Sequence, residues 1–305
     1  MNRRTFSQAV AAAMAGAVAP ASRALPSAAA GKVLPRTSPF PLSVMLWTVY
    51  RDLPFEQRLQ KIAEAGYTNV ELVGEYQREH WSAADFARVN AARRRLNLQF
   101  DATAGLANGV ANPATRQAFL AELQQALVPM QTLECPAMIV LTGNAVPGLT
   151  REQQHQAAVE TLRQAAALVQ GRQINGQPVR LLLECIDPEE NPHYFLPSAA
   201  EAIQIVRAVN HPQVQFLYDL FHEQIAEGNL IEKLEKHIDV IGLIHVADVP
   251  GRHQPGTGEI NYASIYRKLA QLGYRHTVAM EFLPTGDPVA TLRDAAVMVR
   301  GALSV

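Results

Sequence analysis

Sulfur is scarce in this chain. Its 305 residues include two cysteines, Cys135 and Cys185, with no C-x-x-C pair and no Cys/His ligand spacing. That excludes a disulfide-stapled scaffold and a thiolate metal centre. Cys135 should start one strand and Cys185 end another, so the two are expected at opposite ends of a sheet with no bond between them. An excess of either charge is lacking too: 27 basic and 28 acidic residues leave a formal net charge of -1. With no basic cluster in the body of the chain, nothing offers a footprint for a nucleic-acid backbone. No G-x-G-x-x-G follows the first strand-like run, which removes the main dinucleotide-binding reading. A fixed short repeat, a low-complexity tract beyond the N-terminus and a domain linker are missing as well. The expected partner is a small molecule, with no nucleic acid and no membrane span in the mature protein; homo-oligomerisation stays open.

What is present is the makeup of a soluble globular protein, 48% hydrophobic and 18% charged, with enough length to bury a full core. Residues 1–30 stand apart. Arg3 and Arg4 precede the short apolar run AVAAAMAGAVAP, and small residues follow at ASRA and SAAA. This is the layout of a twin-arginine signal peptide, too short to span a bilayer, with cleavage expected after Ala24 or Ala30 and a periplasmic destination. A Pro- and Ser-containing lead-in, 31–42, separates it from the catalytic domain expected over 43–305.

From there on, short apolar or β-branched runs alternate with longer stretches of helical period. The strand candidates are 43–48, 69–72, 99–102, 137–142, 179–184, 214–219, 240–246 and 277–281, each followed by a helix candidate. The first helix has Pro54 at its opening and Gly66 just past its end. Strands separated by helices of ten or more residues run parallel, and eight such units in about 260 residues fit an α/β single-domain (β/α)8 TIM barrel better than an open sheet.

In such a barrel the active site lies at the C-terminal ends of the strands. There the fifth strand ends in Glu184, the sixth in Asp219 and the eighth in Glu281, while the seventh carries His245. A carboxylate at one strand end caps a helix or pairs with an arginine often enough. Three of them with an imidazole, on four successive strands, would repel one another without a cation. A divalent ion resolves the conflict. Oxygen and imidazole donors suit Mn²⁺, Mg²⁺ or Co²⁺, with Zn²⁺ and Fe²⁺ also open. Glu184 and Glu281 come from strands three apart, so one could take a proton from a carbon and the other return it to the next, the chemistry of an enediolate.

Three stretches, SVMLWTVYRDLPFEQRLQKIAEAGYTNVEL, YDLFHEQIAEGNL and HVADVPGRHQPGTGEINY, carry a wider likeness. From about Ser43 to Ala302 the chain resembles the xylose-isomerase-like barrel family of sugar isomerases and epimerases, and within it the hydroxypyruvate isomerases. The resemblance implies that Glu184, Asp219, His245 and Glu281 hold the metal and that the two glutamates double as proton carriers. Hydroxypyruvate isomerases carry glutamine where this chain has His245, and related ketose 3-epimerases carry histidine. The activity implied is hydroxypyruvate to 2-hydroxy-3-oxopropanoate. The alternatives are a periplasmic sugar or ketose epimerase or isomerase of the same fold, and a non-catalytic sugar-acid binding protein. An abasic-site endonuclease, which shares the barrel, would need a basic surface that this chain lacks.

The long segment after the seventh strand is expected to wall the pocket. Arg252 is suited to a bidentate grip on a substrate carboxylate, or to pairing with an acid such as Glu259. His222, three residues past Asp219, is a candidate donor to a substrate oxygen, or bonds to nearby backbone. Trp47 and Tyr50 are expected at the mouth of the first strand, and Glu71, ending the second, on the pocket wall. Asp248 and His253 are expected to support the metal ligands, with Glu259 bridging loop to barrel. Glycines 251, 256 and 258 suit a tight loop.

Overall fold

A computed structural model describes residues 38–304, and the twin-arginine expectation for residues 1–30 lies outside the described residues. Eight parallel strands close into a barrel: β1 (Leu42–Met45), β2 (Asn69–Leu72), β3 (Gln99–Thr103), β4 (Ala137–Leu141), β5 (Arg180–Glu184), β6 (Val214–Asp219), β7 (Ile241–Val246) and β8 (Thr277–Met280). Each pairs with its neighbours in sequence, and β1 pairs with both β2 and β8. The helices are α1 (Phe55–Glu64), α2 (Glu75–Arg78), α3 (Ala83–Arg95), α4 (Arg116–Leu133), α5 (Arg151–Val169), α6 (Ala199–Val209), α7 (Leu220–Ala226), α8 (Leu230–His237), α9 (Tyr262–Gln271) and α10 (Pro288–Ala302). No described helix is long and apolar enough to cross a membrane.

Local chemistry sets the helix starts. Ser82 and Thr150 each close a reciprocal cap with the third helical residue, at Asp85 and Gln153, and Asp287 caps α10 ahead of Pro288. The lead-in is shorter than expected. Phe40 is buried edge-on against Tyr274, and Pro41 already accepts a bond from the backbone of Val278, so the barrel begins before residue 43. Three details lay outside the sequence reading: the short α2, a two-residue-per-strand hairpin over Gln173–Pro178, and the break between α7 and α8 at Gly228 and Asn229, both with positive φ.

Alternation along the strands sorts the barrel interior into layers. The middle one is apolar, packing Met45, Ala102, Ile139, Leu182, Leu217, Leu243 and Ala279. Two residues further along, the same inward phase carries Trp47, Glu184, Asp219, His245 and Glu281. Register shifts at Val70/Glu71 and Phe216/Leu217 tune this phase, and the second brings Asp219 level with His245. Cys135 and Cys185 are free and buried, before β4 and after β5, at opposite ends of the barrel.

The floor of the barrel contains a titrating group. Asp101 is buried and accepts from Ser43 Oγ at 2.9 Å and from Asn69 Nδ2 at 3.5 Å. Burial, reinforced by the charge of Glu71, pushes its carboxyl from 3.8 up to about 7. The folded form therefore retains a proton that the unfolded chain releases. Its stability is fully present below 3.8 and is lost as pH rises towards about 7, by on the order of 1–4 kcal/mol. Asp101→Asn is expected to raise the melting temperature at pH 8 and much less at pH 5, measured by thermal unfolding at the two pH values. An equal shift at both would contradict the assignment.

Candidate active site

At the C-terminal rim, Glu184, Asp219, His245 and Glu281 each offer one ligand atom, and all four atoms lie within 4.8 Å of one another. All four residues are buried. The sequence places them on four successive strands, and the closed sheet with its shared inward phase turns those strand positions into neighbours. The electrostatics follow from confinement. Burial pushes the Glu184 carboxyl up despite the opposing influence of His245. Burial acts on Glu281 in the same sense, but the charges of His245 and Arg252 outweigh it and hold this carboxyl well below the usual range. For His245, burial opposes the charged form, while Glu281 and Glu71 overcome it and raise the imidazole well above its ordinary value.

His245 Nδ1 lies 2.7 Å from Glu281 Oε2 and 3.6 Å from Glu184 Oε1, yet it is buried without a hydrogen-bond partner. Close approach without hydrogen-bond alignment leaves a ring nitrogen directed among carboxylate oxygens. Three carboxylates and one imidazole converging on one point, with oxygen and nitrogen donors only, fit a divalent cation. A second group, Asp187, Glu190 and His222, also has metal-like spacing. Its donors are committed to one another and to Arg252, because His222 Nδ1 lies 2.6 Å from Asp187 Oδ2 and Glu190 Oε2 accepts from Arg252 Nη1 at 2.7 Å.

Arg252 is the hub of the rim. It is buried, with Nη2 at 2.7 Å from Glu281 Oε2 and 3.1 Å from Asp219 Oδ2. Its guanidinium lies 5.2 Å from the Trp47 ring and 4.8 Å from that of Phe221. No pairing with Glu259 occurs: Glu259 is exposed and accepts from Gln224 Nε2 at 3.0 Å, tying the loop to α7. Trp47 donates Nε1–H to Glu281 Oε1 at 2.6 Å, fixing the carboxylate from the other side. His222 Nε2 lies 3.2 Å from Arg252 Nη1 and 3.4 Å from Asp219 Oδ2, inside the same network.

Four expectations are corrected by this geometry. Glu71 does not line a pocket wall: it is fully buried, and its Oε2 lies 2.8 Å from His245 Nε2. Asp248 supports no ligand, because its carboxylate collects the backbone N–H groups of Val249, Gly256, Gly258 and Ile260 and so folds the loop. His253 lies 2.9 Å from the carbonyl of Leu283 and touches none of the four ligands. Tyr50 packs against the core with a buried hydroxyl that has no partner. Glycine is required at 258, where a Cβ would fall 2.0 Å from the carbonyl of Val249. Sequence reasoning also missed Asp187 and Glu190. The signal was available in ECIDPEEN, where carboxylates recur three and six residues after Glu184.

A protein-family model described as xylose isomerase-like TIM barrel matches residues 59–300. The chain belongs to that family. It is 29% identical to the 2-oxo-tetronate isomerase of Pectobacterium atrosepticum over 240 residues, covering 78% of this chain and 90% of the relative. It is 28% identical to the hydroxypyruvate isomerase of Escherichia coli K12 over 253 residues, covering 82% and 96%. Among solved structures, one titled AP endonuclease, family 2, from Brucella melitensis superposes with a TM-score of 0.75 at 26% identity, over 84% of this chain and 98% of that one. The isomerase relatives, matched over nearly their full length, support an isomerase.

Proposed function

We propose that this xylose isomerase-like barrel is a divalent-metal-dependent isomerase of short hydroxy-oxo acids. Hydroxypyruvate to 2-hydroxy-3-oxopropanoate is its leading reaction, and an acid of the 2-oxo-tetronate type the longer variant. The observation that carries the reading is the convergence of Glu184, Asp219, His245 and Glu281, with ligand atoms of both glutamates within 4.8 Å of each other. The names of the isomerase relatives supply the substrate class. Glu184, Asp219, His245 and Glu281 would hold a Mn²⁺, Mg²⁺ or Co²⁺ ion, which would supply positive charge to substrate oxygens.

The protein's own groups do the remaining work. One glutamate, as carboxylate, takes the proton from the hydroxyl-bearing carbon, the other, as carboxylic acid, delivers a proton to the former carbonyl carbon, and the hydroxyl proton passes to the former carbonyl oxygen. Trp47 Nε1 and Arg252 Nη2 hold Glu281 from two sides, so its oxygens stay aimed. Arg252 takes the substrate carboxylate in exchange for Glu190, whose side chain is 47% exposed and leaves at small cost. Export through the twin-arginine signal is part of the same reading.

The deciding experiment incubates the purified protein plus Mn²⁺ with hydroxypyruvate, with a 2-oxo-tetronate and with a panel of free ketoses in D₂O. Isomerisation of the acids with deuterium entering carbon is the expected result. Turnover of ketoses alone would replace the substrate class with an epimerase's, and binding without exchange would leave a binding protein. Arg252→Lys keeps the charge but loses the planar fork. It is expected to lower kcat/KM for hydroxypyruvate by roughly 100-fold, chiefly through KM, as steady-state kinetics would show. The structural neighbour named as an endonuclease does not redirect the assignment, because the rim here is acidic, with Asp219, Glu281 and Glu190 around Arg252.

A further inference from the structure

Glu71 is an anomaly within the barrel. It pairs in register with Met45 of β1 and Ala102 of β3, two members of the apolar middle layer, and is fully buried there. Its Oε1 has no hydrogen-bond partner. A group placed so unfavourably is retained for what its one bond does. That bond runs across the lumen to His245 Nε2, 2.8 Å away, between residues 174 positions apart in the chain. The register shift beside Glu71, at Val70/Glu71, adjusts the strand where this reach begins.

The geometry points to Glu71 as the positioning residue that fixes the tautomer and ring plane of His245. With Nε2–H donated to Glu71, Nδ1 is the nitrogen that faces Glu281 and Glu184, and it would offer its lone pair to a cation that displaces its proton. Were the remaining proton on Nδ1 instead, the ring would offer that cation no donor. Glu71 thus acts through His245 and never meets substrate. The inference rests on the metal reading of the site.

The test compares wild type, Glu71→Gln and Glu71→Met. Glutamine keeps an acceptor for Nε2–H, and methionine removes it at similar volume. Mn²⁺ affinity, measured by equilibrium dialysis without substrate, is expected to fall about tenfold in Glu71→Gln and about 100-fold in Glu71→Met. ¹⁵N-imidazole spectra of the Zn²⁺-loaded wild type should show His245 with its proton on Nε2 and the metal on Nδ1. Thermal unfolding checks that each variant folds, and the wild-type spectrum decides the tautomer even if one does not. Unchanged Mn²⁺ affinity in Glu71→Met, or a proton on Nδ1, overturns the role given to Glu71. A wild type that binds no Mn²⁺ overturns the metal reading itself, which keeps the two failures distinct.

Discussion

Glu281→Gln is expected to reduce isomerisation of hydroxypyruvate by roughly 10³–10⁴-fold, and Glu184→Gln by a similar factor. Both amides are isosteric and neither accepts a proton. Interchange of carbonyl and hydroxyl on adjacent carbons requires one proton to leave the first carbon and one to arrive at the second, while the hydroxyl proton moves from one oxygen to the other. If a single glutamate did both, one variant would be dead and the other merely weakened. If the two divide the work, deuterium wash-in separates them. Starting from hydroxypyruvate in D₂O, the variant that lacks the abstracting carboxylate shows no exchange at C3. The variant that lacks the delivering carboxylate still exchanges the C3 hydrogens while producing no aldehyde. The environments of the two already differ, since His245 and Arg252, with the Trp47 bond, favour the ionised form of Glu281 while burial favours the neutral form of Glu184. Near-normal isomerisation in either variant would remove that residue from the reaction.

Much of this was legible because barrels are built from short-range rules. Eight strands declare themselves by apolar runs of four to six residues, and the chain direction fixes which strand ends share a rim. Glu184, Asp219, His245 and Glu281 follow from that alone, and the structure brings them within 4.8 Å. What escaped the reading depends on contacts across the lumen or within a loop. Glu71 has the right strand and the right inward phase, but only the closed barrel shows that it reaches β7 rather than solvent. Asp248 looks like a ligand partner in sequence, yet its oxygens are spent on four backbone amides of its own loop. Arg252 was expected to meet a substrate carboxylate. Three protein carboxylates claim it in the structure, and only the solvent-facing Glu190 is cheaply displaced.

Removal of divalent metal has the other large expected effect, and it acts on activity and stability together. Exhaustive chelation should bring isomerase activity to background, and Mn²⁺, Co²⁺ or Mg²⁺ should restore it to differing extents. The protein should remain folded after chelation because two cationic groups are built into the rim. Arg252 Nη2 bridges Asp219 and Glu281, and His245 Nδ1 lies 2.7 Å from the same Glu281 oxygen. These contacts soften the repulsion among the three buried carboxylates but leave the third of them, Glu184, with a raised affinity for a proton. Metal at a hundred times its dissociation constant contributes about 2.7 kcal/mol to the native state. For a domain of this size that is a rise of roughly 5–10 °C in melting temperature. In Asp219→Asn the rise should shrink along with the activity, since the site loses a charged donor yet keeps its shape. A chelated protein that still isomerises, or a melting temperature indifferent to every one of these ions, would leave the four side chains as a structural charge cluster and the enediolate chemistry without its electrophile.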